Sequence, residues 1–181
     1  MKRSLIDKIV SSSGLLIGLV LLAASGGMFY AHSFIHSQVH DQLAAQKISF
    51  PQASSPALAS LPAPDRQAVT KYAGQPLLTG AQAETFADHY IAAHLSEIGN
   101  GQTYSELSAA AMAQPTNSQL AKQVDTVFKG ETLRGLLLNA YAFDSMASVA
   151  YVAAMVSMAA GVLLLILSAL GFRHAKLAKR R

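Results

Sequence analysis

The sequence predicts an all-α membrane protein, in which two transmembrane helices bracket a small extracytoplasmic helical domain. Three observations predict it. Ile9 to Tyr30 contains no Asp, Glu, Lys, Arg or His, and neither does Ser145 to Phe172. A hydrocarbon core of roughly 30 Å needs about 20 helical residues, so each stretch is long enough to span a bilayer. Basic residues gather only outside the two stretches: Lys2, Arg3 and Lys8 before the first, and Arg173, Lys176, Lys179, Arg180 and Arg181 after the second.

Charge sets the expected orientation. The chain carries a net charge of +4, but residues 31–144 hold six Lys/Arg against nine Asp/Glu. Short basic flanks resist translocation. Both termini are therefore expected in the cytoplasm and the acidic middle outside the cell membrane. The expected layout is a cytoplasmic N-terminus (1–8), a first span (9–31), an extracytoplasmic domain (32–144), a second span (145–172) and a basic cytoplasmic tail (173–181). A basic excess confined to the tips leaves no footprint for nucleic acid, and the expected partner is the lipid bilayer. The chain has no cysteine, which removes disulfides, thiolate catalysis and zinc ribbons. The first stretch, at 22 uncharged residues, exceeds the usual signal-peptide core of about 7–15. Retention as an anchor is the expectation.

The first span carries Gly14, Gly18 and Gly26, and the second carries Ala153, Ser157 and Gly161. Small residues at four-residue spacing let helix backbones approach closely in lipid, where packing drives association. Two such rows predict an intramolecular hairpin, with docking onto a partner's helices as the alternative. Beyond Tyr30 the stripe of Ile35, Val39 and Leu43 continues the first helix outward to about residue 46. Lys47 to Pro51 alternates as an extended piece. Residues 51–64, rich in Pro, Ala and Ser, are expected to be a loop or loosely packed linker. Pro64 opens a short helix that ends at Gly74.

Thr79 and Gln82 form a capping box for a helix to about Ile98, stopped by Gly99, Asn100 and Gly101. Thr103 and Glu106 repeat the device for a helix that ends before Pro115. Thr116 and Gln119 offer a third start. From Leu120 the helical spacing runs toward the second span, with Gly130 and Gly135 as weak points.

Histidines give the sharpest chemical expectation. His32, His36 and His40 stand at i, i+4 and i+8 on one helix face, a spacing at which imidazoles share a metal ion. No HExxH accompanies them, and the competing expectation is a half-polar border at the headgroup level. His94 falls on the apolar face of the 80–98 helix, so a core role is expected, with Tyr104 or Thr103 as partner. His89 falls on the polar side. Glu84 and Asp88 are expected to decorate a helix face, and Asp144 to be solvated at the outer edge of the second span. No GxSxG, P-loop or dinucleotide fingerprint is present, so no catalytic residue and no cofactor is expected.

Several short blocks carry a family resemblance. These are Leu43 to Pro51, Tyr72 to Pro76, Ile91 with His94 and Leu95, and then Gly99, Gly101, Thr103, Tyr104, Ser105, Glu106 and Leu107, with Leu133–Arg134 before the last span. On these motifs the chain resembles small actinobacterial membrane proteins of unknown function. Members show two spans around a translocated helical segment, and the resemblance covers about three quarters of this chain. It departs over residues 52–71. The family is often labelled as aromatic ring-opening dioxygenases. That label does not follow from these residues, since such chemistry needs an iron site of histidines and a carboxylate in a pocketed domain.

The functional expectation is a non-catalytic accessory or scaffold subunit of a larger cell-envelope complex, contacting an integral membrane partner or a second copy. The alternative is an extracytoplasmic metal- or pH-sensing module built on His32, His36 and His40.

Overall fold

A computed structural model describes residues 3–178. Lys2, Lys179, Arg180 and Arg181 of the expected basic flanks lie outside the described residues. Helices run over α1 (Arg3–Gln46), α2 (Pro56–Ala59), α3 (Ala63–Thr70), α4 (Gly80–Thr85), α5 (Ala92–Ile98), α6 (Tyr104–Ala113) and α7 (Ser118–Ala178). A π-helical turn, Phe86–Ile91, joins α4 to α5. Among the described residues there is no strand, only an isolated antiparallel bridge between Ser49 and Pro76. The all-helical expectation therefore holds, and α1 and α7 are both long and apolar enough to cross a membrane. The chain divides into two compact units, Met1–Ile35 with Met146–Arg181, and His36–Ser145.

The first unit is an antiparallel helix pair with an inverted distribution of side chains. Its buried residues are small: Ser11, Gly18 and Ser25 on α1, and Ala147, Ala154, Gly161, Ser168 and Ala175 on α7. Its large apolar residues face outward, with Leu16 65% exposed, Val20 59%, Val152 61% and Leu163 57%. Both buried rows repeat every seven residues. A seven-residue period keeps one seam facing the partner when the helices wind around each other left-handedly. The four-residue row expected on the second span is corrected here. Ala153 and Ser157 are only half-buried, and the seam passes through Ala154, Gly161 and Ser168.

The second unit, His36–Ser145, has a conventional core of large side chains. Leu58, Leu77, Leu107, Val69 and Val127 are its largest fully buried residues. Val39 and Leu43 on α1 are buried as the stripe predicted. Phe50 packs edge-on against Phe86, with ring centroids 5.2 Å apart, and tilts against Tyr72 at 5.3 Å. The Pro/Ala/Ser-rich stretch is not a loose linker. Ser55 caps α2 by accepting from the Leu58 amide, and Leu58 and Leu61 are buried. Two prolines that start short helices place these leucines in the core, because each proline fixes a helical φ at the first turn.

Helix ends follow their chemistry. Thr79 and Gln82 form the expected reciprocal cap, and so do Thr103 and Glu106. Asn100 takes a left-handed φ of 50° after α5. Its amide and that of Gly101 reach back to the carbonyls of Glu97 and Ser96 at 3.2 and 2.8 Å, a Schellman arrangement that satisfies the orphan carbonyls. The third cap differs from expectation: Asn117, not Thr116, accepts from the Leu120 amide at 3.1 Å. The short third helix ends at Thr70, four residues before the left-handed Gly74. Gly130 does not interrupt α7, and Leu95 packs directly onto its bare backbone.

Candidate functional site

Three clusters position the side chains that can do more than pack. The first is the seam between α1 and α7 in the first unit. A Cβ on Gly18 would lie 3.0 Å from Leu165 Cδ2 and 3.1 Å from the Gly161 carbonyl oxygen. A Cβ on Gly161 would lie 3.0 Å from the Gly18 carbonyl oxygen. These two glycines therefore bring the backbones together. Gly14 faces Ser168, whose Oγ would sit 2.6 Å from a Cβ there. Gly26 has open space instead. The Ser25 hydroxyl donates to the Ala154 carbonyl at 2.9 Å, and His32 donates from Nδ1 to the Ala147 carbonyl at 2.9 Å. Phe29 and His32 both contact the Tyr151 ring, at 5.8 and 5.1 Å between centroids.

The second cluster centres on Asp144 in the second unit. His36 Nδ1 lies 2.9 Å from Asp144 Oδ1. The same carboxylate packs against Gly80, the first residue of α4, where any Cβ would collide with it. A helix N-terminus favours an anion, and glycine there lets the carboxylate approach the backbone. Asp144 was expected to be solvated. Its side chain is instead only 18% exposed, and it ties α7 to both α1 and α4.

The third cluster surrounds the π-helical turn. Asp88 accepts from Arg134 Nη2 at 2.8 Å and Nε at 3.2 Å, and Glu131 adds a contact at 3.3 Å. Its hydrogen bonds to the Asp88 carboxylate, with some opposition from desolvation, hold the Arg134 guanidinium above its ordinary pKa. His89 Nδ1 lies 2.8 Å from Asp65 on α3. Asp88 is therefore no surface decoration, and His89 has a partner that its polar helix position gave no means of naming. A π turn inserts one extra residue per turn. Within it, the consecutive residues Asp88 and His89 reach two different helices, α7 and α3.

The three histidines of the expected metal stripe do not converge. His32 bonds a backbone carbonyl, His36 meets Asp144, and His40 Nδ1 lies 3.2 Å from its neighbour Asp41. Among the described residues no group of three or more His, Cys, Asp or Glu side chains is placed to hold a metal ion.

The motif residues of the resemblance serve the α5–α6 turn. His94 donates to the Tyr90 carbonyl at 2.7 Å and tilts against the Tyr90 ring, with centroids 4.5 Å apart, rather than meeting Tyr104 or Thr103. Gly99 abuts the Gln102 carbonyl, Gly101 takes a φ of 76°, and Tyr104 packs on Phe128 at 5.4 Å. Thr103 is engaged by Glu106, whose carboxyl is held below its ordinary pKa by the Thr103 amide first and its hydroxyl second. No protein-family model, no curated protein and no solved structure matches the chain.

Proposed function

We propose that this chain is an integral membrane protein whose α1 and α7 cross the bilayer as one hairpin, with both termini cytoplasmic and residues 32–144 outside. It acts there as a non-catalytic accessory or scaffold subunit of a larger envelope complex. The observation that carries the reading is the inverted first unit. Small polar and apolar residues fill its interior while leucine, valine and isoleucine cover its surface. Water would penalise that surface by about 25 cal/mol for each Å² of exposed apolar area. Lipid does not penalise it, and in lipid close backbone contact through Gly, Ala and Ser is what joins helices. Tyr30 and Phe34, exposed and stacked at 6.3 Å, suit the outer interface, where aromatic rings gather.

The scaffold role follows from what the second unit offers. His36, Asp144, His89, Asp65 and Asp88 are engaged in joining helices, and large apolar residues such as Leu136 and Met112 remain exposed for a partner. Topology is tested with reporters. A fluorescent protein fused after Arg181 is expected to fluoresce, and alkaline phosphatase inserted at Gly101 to be active. The opposite pattern overturns the orientation. The scaffold role is tested by purification in mild detergent, where a stoichiometric integral membrane partner is expected. Recovery of the chain alone overturns it.

A further inference from the structure

The helix pair of the first unit does not close evenly along its length. Towards the end that carries the basic flanks, a groove of about 480 Å³ opens between α1 and α7. Val10, Leu164, Leu167 and Leu170 give it apolar walls. Ser11 and Ser168 also line it, and as whole residues they are only 4% and 3% exposed. Each hydroxyl lies against a bare glycine of the facing helix. A Cβ on Gly171 would collide with the Ser11 Oγ, and one on Gly14 would lie 2.6 Å from the Ser168 Oγ. The Ser25 hydroxyl of the same seam donates to a carbonyl, but among the described residues neither Ser11 nor Ser168 has a hydrogen-bond partner. No side-chain oxygen fully sealed from solvent lacks a partner, so both hydroxyls reach the groove. At its mouth His174 Nδ1 lies 3.1 Å from Asp7 Oδ2. No lysine or arginine lines the groove, and Asp7 supplies its one carboxylate.

We propose that this groove is a hydrated site that takes a small monovalent cation and turns anions away. The proposal rests on the membrane reading above. A hydroxyl held in an apolar medium without a partner is costly. A lipid chain filling the groove would leave Ser11 and Ser168 in that state, whereas water satisfies both. The groove is polar along one side and far roomier than the about 30 Å³ that one water occupies. Asp7 stands one helical turn from Ser11, about 6 Å along α1, so oxygen atoms line the groove from its mouth inward. Hard cations prefer oxygen ligands. With the His174 imidazole neutral, the Asp7 carboxylate is the only formal charge in the lining. A cleft with apolar walls and charge of one sign concentrates ions of the other. The cation keeps its water, because among the described residues no group of three or more His, Cys, Asp or Glu stands ready to replace it.

The chain has no cysteine, so one introduced thiol reports whether water and ions reach it. Leu164 lines the groove, and its neighbour Leu163 is 57% exposed on the outward face. Leu164→Cys and Leu163→Cys are made separately in the full chain and reconstituted in phosphatidylcholine vesicles. Each is treated on both faces with a trimethylammonium or a sulfonate methanethiosulfonate, reagents that need the thiolate. Rates are normalised to those with 2-mercaptoethanol. Leu164→Cys is expected to react, with the cationic reagent favoured by about tenfold or more, and Leu163→Cys to react with neither. Adding Asp7→Asn is expected to equalise the two reagents, and adding Ser11→Ala with Ser168→Ala to slow both. No reaction at Leu164→Cys, equal normalised rates with Asp7 in place, or undiminished rates without the two hydroxyls overturns the site alone. Reaction at Leu163→Cys as fast as at Leu164→Cys, or release of the chain by alkaline carbonate, overturns the membrane reading and the site with it.

Discussion

The two units solve the same packing problem with opposite materials. In the first, Gly18 and Gly161 meet backbone to backbone while leucines and valines face out. In the second, Leu58, Leu77 and Leu107 fill the interior, and ion pairs such as Asp88 with Arg134 join its helices. Burying a leucine gains free energy only when the alternative is water. Where the alternative is hydrocarbon, the gain comes from close approach, and the smallest side chains allow the closest approach. One chain therefore carries two interior compositions, and the first is the kind that helices use to associate in lipid.

The contrast breaks first in the second unit. Leu77→Ala, at a site with no exposure, is expected to cost about 2–5 kcal/mol of stability through lost burial and a residual cavity. Denaturant unfolding followed by circular dichroism measures it. The first unit responds in the opposite sense. Gly18→Leu is expected to cost about 1–3 kcal/mol by overpacking, whereas Gly26→Leu, with nothing within 4 Å, is expected to stay within about 0.5 kcal/mol. Cross-linking yield between Ser25→Cys and Ala154→Cys reports the separation of the helices in each. Equal responses at Gly18 and Gly26 would remove the seam as an explanation.

Smaller effects sharpen the comparison. Thr103→Ala removes a cap and is expected to cost about 1 kcal/mol, read by the same unfolding experiment. Ser25→Ala removes the hydroxyl that donates to the Ala154 carbonyl and, on the membrane reading, is expected to cost about 0.6 kcal/mol, the typical value for a hydrogen bond between membrane helices. Glu106 supplies a pH dependence. Its folded pKa lies below the ordinary 4.5, so its contribution is present above that value and is lost as pH falls through the lower folded value. The stability difference between the parent chain and Glu106→Gln is expected to be constant near neutrality and to close only in that acid range.

What the sequence made legible follows from the range of each signal. Helix periodicity, the two capping boxes and the stop at Gly99–Gly101 are local, and all were readable. The Pro/Ala/Ser stretch misled because composition registers flexibility, whereas Leu58 and Leu61 are fixed by a core assembled from distant segments. Asp144 was misread for the same reason. Its partners, His36 and Gly80, lie 108 and 64 positions away, and no spacing rule connects them. The seven-residue seam was present in the sequence as Ser11, Gly18 and Ser25 opposite Ala154, Gly161 and Ser168. Asp88 and His89 find their partners, Arg134 and Asp65, 46 and 24 positions away, beyond the reach of any local spacing rule.

A row of near-identical small residues has a weakness as a device for alignment. Sliding one helix past the other by seven positions would put Ala on Gly and Ser on Ala again, with little change in volume. Size alone leaves the pair like a ruler with unnumbered marks. The numbering comes from groups that do not recur at seven-residue spacing: the His32 ring on the Ala147 carbonyl, and Asp7 beside His174. Each is modest in energy, yet together they turn a repeating surface into a single address.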